Sequence, residues 1–170
     1  MKADAATGPT KLKTKILSLE KLARRSREIR DAAGRLVLTN GCFDLLHVGH
    51  VRYLEQARAL GDFLAVAVND DESVRALKGP GRPINAAADR AEVLAAMACV
   101  DFVTIFPSVR ATDVITAVRP AIYVKGGDYT VESLNSEERS AVESVGAQVE
   151  ILPLVPGKST SGLLKRVQNP

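Results

Sequence analysis

The amino-acid sequence predicts an α/β domain, a doubly wound parallel sheet of about five strands with helices on both faces. The first observation behind this prediction is a strict alternation of apolar, strand-like runs with helical stretches. The second is that the apolar runs are continuous, as in strands that are buried on both faces. The third is the length of 170 residues, which suits one domain with a core of its own.

The predicted elements divide the chain into a tail and one domain. We expect residues 1–13 to form a flexible tail and residues 14–168 to form a single domain, which begins with a basic amphipathic helix at about 17–33. Strands are predicted at 36–39, 63–68, 101–106, 121–125 and 148–155. Helices are predicted at about 47–60, 86–98, 109–118, 136–145 and 160–167, with a Gly/Pro-rich loop at 78–83. Ligands of such folds bind at the carboxyl ends of the strands, so the loops that follow the strands are where chemistry is expected.

The composition argues against several classes of protein. No uncharged apolar run approaches the ~18 residues of a membrane span, and residues 1–15 lack the apolar stretch of a secretory signal. Cys42 and Cys99 are too few for a disulfide framework, and we interpret them as free thiols in the core. The basic excess lies largely at 11–30, which we interpret as a solvated helix face rather than a nucleic-acid surface. We therefore expect a cytoplasmic protein that binds neither a membrane nor nucleic acid.

Both histidines of the sequence follow the first predicted strand. His47 and His50 are three residues apart, with Gly49 between them, where a helix is predicted to begin. At this spacing both imidazoles can face one spot, and the helix N-terminus there favours an anion. A capping histidine beside a surface histidine is the structural alternative. A zinc site is disfavoured, because two histidines are a poor zinc set and Asp44 alone does not complete it. The pattern indicates a phosphate site for a nucleotide.

These residues also carry a family resemblance. The segment at 47–50, after Asn-Gly-Cys-Phe-Asp at 40–44, resembles the HxGH signature of cytidylyltransferase-like nucleotidyltransferases. Further segments resemble, in the same order, the branch of that family that adenylylates heptose 1-phosphate. They lie at 66–75, 78–83, 89–90, 124–129 and 157–161. The resemblance covers about 14–168 and departs from the family in a turn at 145–147, where paired glycines are common.

The resemblance implies a Rossmann-like nucleotidyltransferase fold and a specific reaction. An AMP group would pass from ATP to D-glycero-β-D-manno-heptose 1-phosphate, which releases pyrophosphate and gives ADP-heptose for lipopolysaccharide core synthesis. It also implies Mg²⁺ held mainly by the triphosphate, and a homodimer. No kinase domain is present in the sequence, so we expect the stand-alone form of the enzyme.

The resemblance, together with the chemistry of the residues, gives three sets of candidate site residues. The catalytic candidates are His47, His50, Lys78 and Thr160. The nucleotide-binding candidates are Thr39, Asn40, Gly41, Phe43, His47, Gly49, His50, Lys125, Gly126, Asp128, Ser159 and Thr160. The candidates for binding the sugar phosphate are Asp44, Asn69, Lys78 and Arg82, and Asp44 is also the candidate metal ligand.

Each of these candidates outside the histidine motif has a plainer alternative. Lys78 and Arg82 flank three helix-breaking residues, so their loop could close over a triphosphate or simply be solvated. The hydroxyls at 159–160 could bind phosphate or only cap the last helix. The Lys-Gly-Gly-Asp segment at 125–128 could admit a ribose or base edge, or form an ordinary turn. Asp44 could instead be a buried hydrogen-bonding residue.

The expected mechanism needs no general base. The second pKa of a phosphate monoester is about 6, so the attacking oxygen is already deprotonated at neutral pH. Catalysis then rests on positioning and on neutralising phosphate charge. The alternatives are a transferase of the same superfamily that acts on glycerol 3-phosphate, phosphopantetheine or a flavin, with CTP as a further donor; a nucleic-acid-binding module that uses residues 11–30; and a silent nucleotide sensor.

Overall fold

A computed structural model describes residues 14–127, 134–153, 157, 160 and 162–164 of the chain. These residues form a five-stranded sheet in which every strand pair is parallel, as predicted. The strands are β1 (Leu36–Gly41), β2 (Phe63–Asn69), β3 (Phe102–Phe106), β4 (Ile122–Gly126) and β5 (Gln148–Leu152). The helices are α1 (Leu19–Asp31), α2 (Val48–Arg58), α3 (Asp71–Lys78), α4 (Ala87–Ala95), α5 (Thr112–Val118) and α6 (Ser136–Val145). The predicted tail at 1–13 lies outside the described residues.

The sheet order is β3-β2-β1-β4-β5. Strands β2 and β3 lie on one side of β1, and β4 and β5 lie on the other, so the strand order reverses between β1 and β4. In the register, Thr39 of β1 pairs with Val66 on one side and with Val124 on the other. Because β1 and β4 are parallel neighbours, the loops that follow them begin at the same edge of the sheet. From there the chain continues to opposite sides, towards β2 and β5. A crevice at such a point is where doubly wound folds bind their ligands.

Helices cover both faces of the sheet, which explains why the strands are apolar throughout. One core cluster packs α1, α5 and α6 against one face through residues such as Leu22, Ile115 and Val142. The other packs α2 and α4 against the opposite face through residues such as Leu54 and Leu94. The two faces matter for the site, because α2 and α5 deliver their preceding loops to it from opposite sides.

Helix α3 was missed by the sequence analysis, which predicted only the loop at 78–83. Asp70 caps the helix by accepting a 2.8 Å hydrogen bond from the Ser73 N–H, and Val74 is fully buried. Gly79 ends the helix with a φ of +89°, a left-handed conformation that glycine adopts without strain. Lys78 is consequently the last residue of a helix rather than part of a mobile loop.

The remaining predicted boundaries are close to the structure. The predicted helices at 17–33, 86–98 and 109–118 are shorter in the structure, and the strand predicted at 148–155 ends at Leu152. Residues 160 and 162–164 are helical, as predicted for the last helix. Within the described ranges, no helix has the length and apolar character that a membrane crossing requires.

Candidate active site

A cavity of about 490 Å³ opens at the carboxyl ends of the strands, beside the point where β1 and β4 diverge. Most of the predicted site residues line it: Asn40, Gly41, Phe43, Asp44, His47, Gly49, His50, Asn69, Lys78, Arg82, Lys125, Gly126 and Thr160. Asp128 and Ser159 lie outside the described residues. The structure thus brings together residues that are more than 100 positions apart in the sequence, and it does so around the two histidines.

The two histidines begin helix α2 and cap it together. His47 is the N-cap residue, and its Nδ1 accepts a 3.1 Å hydrogen bond from the Gly49 N–H. The Nδ1 of His50 accepts a 3.3 Å hydrogen bond from the His47 N–H, which completes a reciprocal capping box. The ring centroids are 4.0 Å apart. The capping alternative is therefore true of both residues, and the phosphate site stays a prediction, since capping uses only one nitrogen of each ring.

The capping bonds fix the side of each ring that can donate a hydrogen bond. Because Nδ1 accepts in both rings, the neutral imidazoles carry their proton on Nε2. Burial, and to a smaller extent the nearby His47, lower the pKa of His50 from 6.5 to about 4. His50 is thus neutral at physiological pH and offers a fixed N–H donor at the mouth of the helix.

The loop between β1 and α2 brings the backbone close to this point. Phe43 has a φ of +46°, a conformation that is unfavourable for a residue with a side chain. Its ring packs 5.6 Å from the His50 ring and covers Gly41, where an added Cβ would lie only 3.1 Å from the Phe43 ring. Gly49, in the first turn of α2, is buried. Together these residues form the wall of the cavity beside the imidazoles.

Tyr53 joins α2 to the two central strands. Its hydroxyl shares a 2.7 Å hydrogen bond with the Thr39 hydroxyl and donates to the Val124 carbonyl at 3.2 Å. Thr39 was predicted to bind the nucleotide, but it is fully buried and does not line the cavity. Its role is to hold Tyr53, because a hydroxyl at the centre of a buried strand needs a partner.

Asp44 anchors the loop at 79–85 to the strand end. Its Oδ1 accepts hydrogen bonds from the backbone N–H groups of Ile84 and Asn85, at 2.8 Å and 3.0 Å. Its Oδ2 lies 2.8 Å from Nη1 of Arg82, and both side chains are largely buried. Arg82 is therefore held in place rather than carried on a swinging loop. The structural alternative for Asp44 describes it better than the predicted metal ligand does.

Arg90 is a second anchor of the same region, and the sequence analysis did not assign it a role. The side chain is buried, and its Nε donates to the Asn85 carbonyl at 2.9 Å. Its guanidinium also donates to the Cys42 carbonyl and pairs with Asp71 at 2.8 Å. One buried guanidinium thus links the strand-end loop, helix α3 and the loop before α4, since each of its nitrogens has a partner.

Lys125 and Glu138 form a buried ion pair at the end of β4. Nζ of Lys125 lies 3.0 Å from Oε2 of Glu138, and Glu138 is only 3% exposed. The other carboxylate oxygen of Glu138 accepts a 3.1 Å hydrogen bond from the Ala111 N–H. Lys125 also lies 5.4 Å from the centre of the Tyr123 ring. Its charge is therefore largely balanced by the protein.

Asn69 and Thr160, two further candidate site residues, donate hydrogen bonds to backbone carbonyl groups. The Asn69 side-chain amide donates to the Ser108 carbonyl at 2.9 Å, and the Thr160 hydroxyl donates to the Leu45 carbonyl at 3.2 Å. Thr160 in this way ties the last helix to the loop before α2. Its hydroxyl oxygen remains available as an acceptor.

The model of the cytidylyltransferase-like family matches residues 38–165, which include most of β1, both histidines and the helical residues 160 and 162–164. The chain belongs to this family. It is 48% identical over 154 residues to the bifunctional protein HldE of Geotalea uraniireducens and 50% identical over 154 residues to that of Alkalilimnicola ehrlichii. The alignments cover 91% of this chain but only 31% and 32% of those proteins. The chain thus spans about one third of the length of these curated relatives.

A comparison with solved structures agrees with this family assignment. The lipopolysaccharide core biosynthesis protein from Thermoplasma volcanium has 27% sequence identity to this chain and superposes with a TM-score of 0.58. The match covers 72% of this chain and 97% of that protein. The family and the Rossmann-like fold that the sequence resemblance implied are both confirmed.

Cytidylyltransferase-like enzymes generally use a divalent metal ion, so we tested whether the described residues could hold one. They contain no group of three or more His, Cys, Asp or Glu side chains with metal-site geometry. The carboxylate of Asp44 already binds two N–H groups and a guanidinium. The described residues therefore do not fit a resident metal centre.

The sequence analysis did not place in the site six of the residues that line the cavity. They are Cys42, Tyr53, Leu77, Val109, Arg110 and Glu138. Cys42 was predicted to fill the core, but it is half-buried at the cavity wall. Burial raises the pKa of its thiol, so the thiol stays protonated at neutral pH. Its position, directly after the strand end, was the available signal.

Proposed function

We propose that this domain transfers AMP from ATP to D-glycero-β-D-manno-heptose 1-phosphate, releasing pyrophosphate and forming ADP-heptose. The observation that carries the proposal is the paired histidine start of α2, which faces the cavity with its Nδ1 atoms engaged in capping. The choice of heptose follows from the sequence resemblance. The names of the relatives support it, since one is a lipopolysaccharide core biosynthesis protein and two are HldE proteins.

The nucleotide would place its phosphates at the N-terminus of α2. The Nε2–H donors of His47 and His50 would bind phosphate oxygens, and the helix dipole adds to the attraction. Gly41 and Gly126 line the cavity at the ends of β1 and β4, where the nucleoside would lie. The site is thus divided between the nucleotide, near β1 and β4, and the acceptor, near the end of β2.

The transfer is an in-line displacement at the α-phosphorus. An oxygen of the acceptor phosphate forms the new P–O bond, and the bond to the bridging oxygen of the β-phosphate breaks. Pyrophosphate leaves with that electron pair, and no proton moves because the attacking oxygen is already ionised. His47, His50 and Lys78 would stabilise the charge that develops on the phosphates.

Thr160 and Arg82 have different roles in this proposal from those first assigned to them. The Thr160 hydroxyl donates to Leu45, so it holds the last helix against the α2 loop rather than donating to the transition state. Arg82 is neutralised by Asp44, so it shapes the acceptor side more than it contributes net charge. Mg²⁺ would enter on the triphosphate as part of the substrate.

A pyrophosphate-release assay tests the proposal directly. Heptose 1-phosphate, other sugar 1-phosphates and glycerol 3-phosphate would each be combined with ATP, CTP, GTP and UTP. We expect turnover with ATP and the heptose phosphate, and a strongly reduced rate for Lys78→Ala. Arg24→Ala, which removes an equal charge from the exposed face of α1, serves as the matched control. Preferred turnover of CTP with glycerol 3-phosphate would reassign the substrate, and no release with any pair would favour a nucleotide sensor.

Two further predictions remain predictions. The composition predicts a cytoplasmic location, with which the use of ATP is consistent. The homodimer that the resemblance implies can be checked by sedimentation of the purified chain.

A further inference from the structure

The loop at 107–111, between β3 and α5, brings an arginine to the cavity that no motif pointed out. Val109 and Arg110 both line the cavity, and Arg110 is exposed there. The loop leads into α5, which packs with α1 and α6 on one face of the sheet. The two histidines begin α2, which packs on the other face. Arg110 therefore approaches the cavity from the side opposite to the histidines.

Two buried polar side chains hold this loop in place. Asn69, 2% exposed, donates to the Ser108 carbonyl at 2.9 Å. Glu138, 3% exposed, accepts from the Ala111 N–H at 3.1 Å. Ser108, two residues before Arg110, and Ala111, directly after it, are thus each fixed by a side chain from another element. Buried polar groups used in this way position a loop firmly, because breaking either bond leaves an unsatisfied group.

The charge balance around the cavity leaves Arg110 available for a ligand. Arg82 is paired with Asp44 and Lys125 with Glu138. Among the lysines and arginines of the cavity wall, Lys78 and Arg110 form no ion pair with any described residue. The reaction proposed above brings two anions together, so each needs a cation near it.

We propose that Arg110 binds the phosphate group of the acceptor sugar phosphate. A phosphate monoester has three terminal oxygens, and the guanidinium fork can take two of them in parallel hydrogen bonds. The third oxygen is then left to form the bond to the α-phosphorus, while the bond to the leaving pyrophosphate breaks. The α-phosphate of ATP has only two non-bridging oxygens, which face the histidine side. Arg110 keeps its protons throughout and orients the nucleophile.

This inference rests on the proposed function, and steady-state kinetics test it. In Arg110→Ala we expect the KM for the acceptor to rise about 10- to 100-fold, the loss expected for hydrogen bonds to a charged group. The KM for ATP should stay within about twofold. Arg110→Lys should recover only part of the loss, because a single ammonium cannot form the parallel pair. Arg24→Ala is again the control for charge. A higher KM for ATP with an unchanged KM for the acceptor would overturn the assignment.

A binding measurement separates this inference from the identity of the sugar. Calorimetric titration with inorganic phosphate, in the presence of α,β-methylene-ATP, probes the acceptor phosphate site without the heptose. Arg110→Ala should lose phosphate binding and retain binding of the ATP analogue. If the wild-type protein binds phosphate but never turns over the heptose phosphate, the proposed substrate fails and Arg110 keeps its role. Phosphate binding that is equal in wild type and variant would reject the role of Arg110.

Discussion

The ring of Tyr53 fills the space that a side chain at position 126 would need. A Cβ built on Gly126 would lie 2.8 Å from the Cε2 atom of Tyr53, closer than a real contact allows. The same tyrosine binds Thr39 and the Val124 carbonyl through its hydroxyl, so it cannot move without losing two hydrogen bonds. Glycine at the end of β4 is thus required by the packing of Tyr53 of α2.

Gly126→Ala should therefore destabilise the protein. We expect a loss of about 1–3 kcal/mol in the free energy of unfolding, the usual cost of overpacking, measured by urea denaturation. If contact with the ring is the cause, the same substitution should cost clearly less in a Tyr53→Leu background. An equal cost in both backgrounds would show that the contact does not matter.

Replacement of His50 can separate capping from catalysis. Glutamine at the third position of a helix can also accept from the N-cap N–H through its Oε1 atom, so His50→Gln should keep α2 capped while it exchanges the rigid imidazole donor for a flexible amide N–H. We expect His50→Gln to retain near wild-type stability and to lose less kcat than the about 10²-fold that removal of one donor to a developing charge costs.

His50→Ala completes this comparison. It should lose about 10²-fold in kcat, because the donor is gone, and also about 1 kcal/mol of stability, because the His47 N–H loses its partner. Denaturation and pyrophosphate release are measured on both variants. A His50→Ala enzyme with full activity would remove the histidine from the mechanism.

Much of the fold follows from local sequence properties. The strands were predicted because residues such as Val37 and Leu64 are apolar in continuous runs, and burial on both faces requires this. His47 and His50 were predicted as a pair because residues three positions apart at a helix start can face the same spot. Helix α3 was missed because it is short and only its Asp70 cap and Gly79 stop mark it.

The rest of the site depends on contacts between distant residues. Glu138 meets the Ala111 N–H across 27 positions, and Arg90 meets the Cys42 carbonyl across 48. In the sequence nothing distinguishes Arg110 from the other arginines, and only the fold shows that it lies at the cavity. Sequence spacing carries no information about such pairs, because they form only when separate strand-end loops meet.

The lowered pKa of His50 makes stability depend on pH. The pKa is about 4 in the folded chain against 6.5 without the fold, because burial disfavours the imidazolium. Below pH 6.5 the unfolded chain gains a proton that the folded chain does not take up until about pH 4. Above pH 6.5 this histidine does not lower the free energy of unfolding. As the pH falls from 6.5 towards 4, it lowers the free energy of unfolding progressively.

Urea denaturation at neutral pH and near pH 5 can measure this effect. Wild-type protein should lose more stability on acidification than His50→Gln, which has no group to protonate at this position. The comparison cancels the other titrating groups, since they are the same in both proteins. Identical losses in the two proteins would mean that His50 titrates normally in the folded state.

The role of Asp44 can be decided by the metal requirement of the enzyme. Asp44→Asn keeps an oxygen for the N–H groups of Ile84 and Asn85 but removes the charge that faces Arg82. Leaving a buried guanidinium unpaired should lower the free energy of unfolding by about 3 kcal/mol. The Mg²⁺ concentration for half-maximal turnover should stay unchanged, because the carboxylate is engaged with the protein.

The matched control is Asp62→Asn, at an exposed aspartate that also accepts a backbone hydrogen bond, from the Arg35 N–H. It removes the same charge away from the cavity, so it should affect neither the Mg²⁺ dependence nor turnover. A Mg²⁺ requirement that rises several-fold in Asp44→Asn alone would make Asp44 a metal ligand after all. A loss of stability without that rise assigns Asp44 to the anchoring of the loop that carries Arg82.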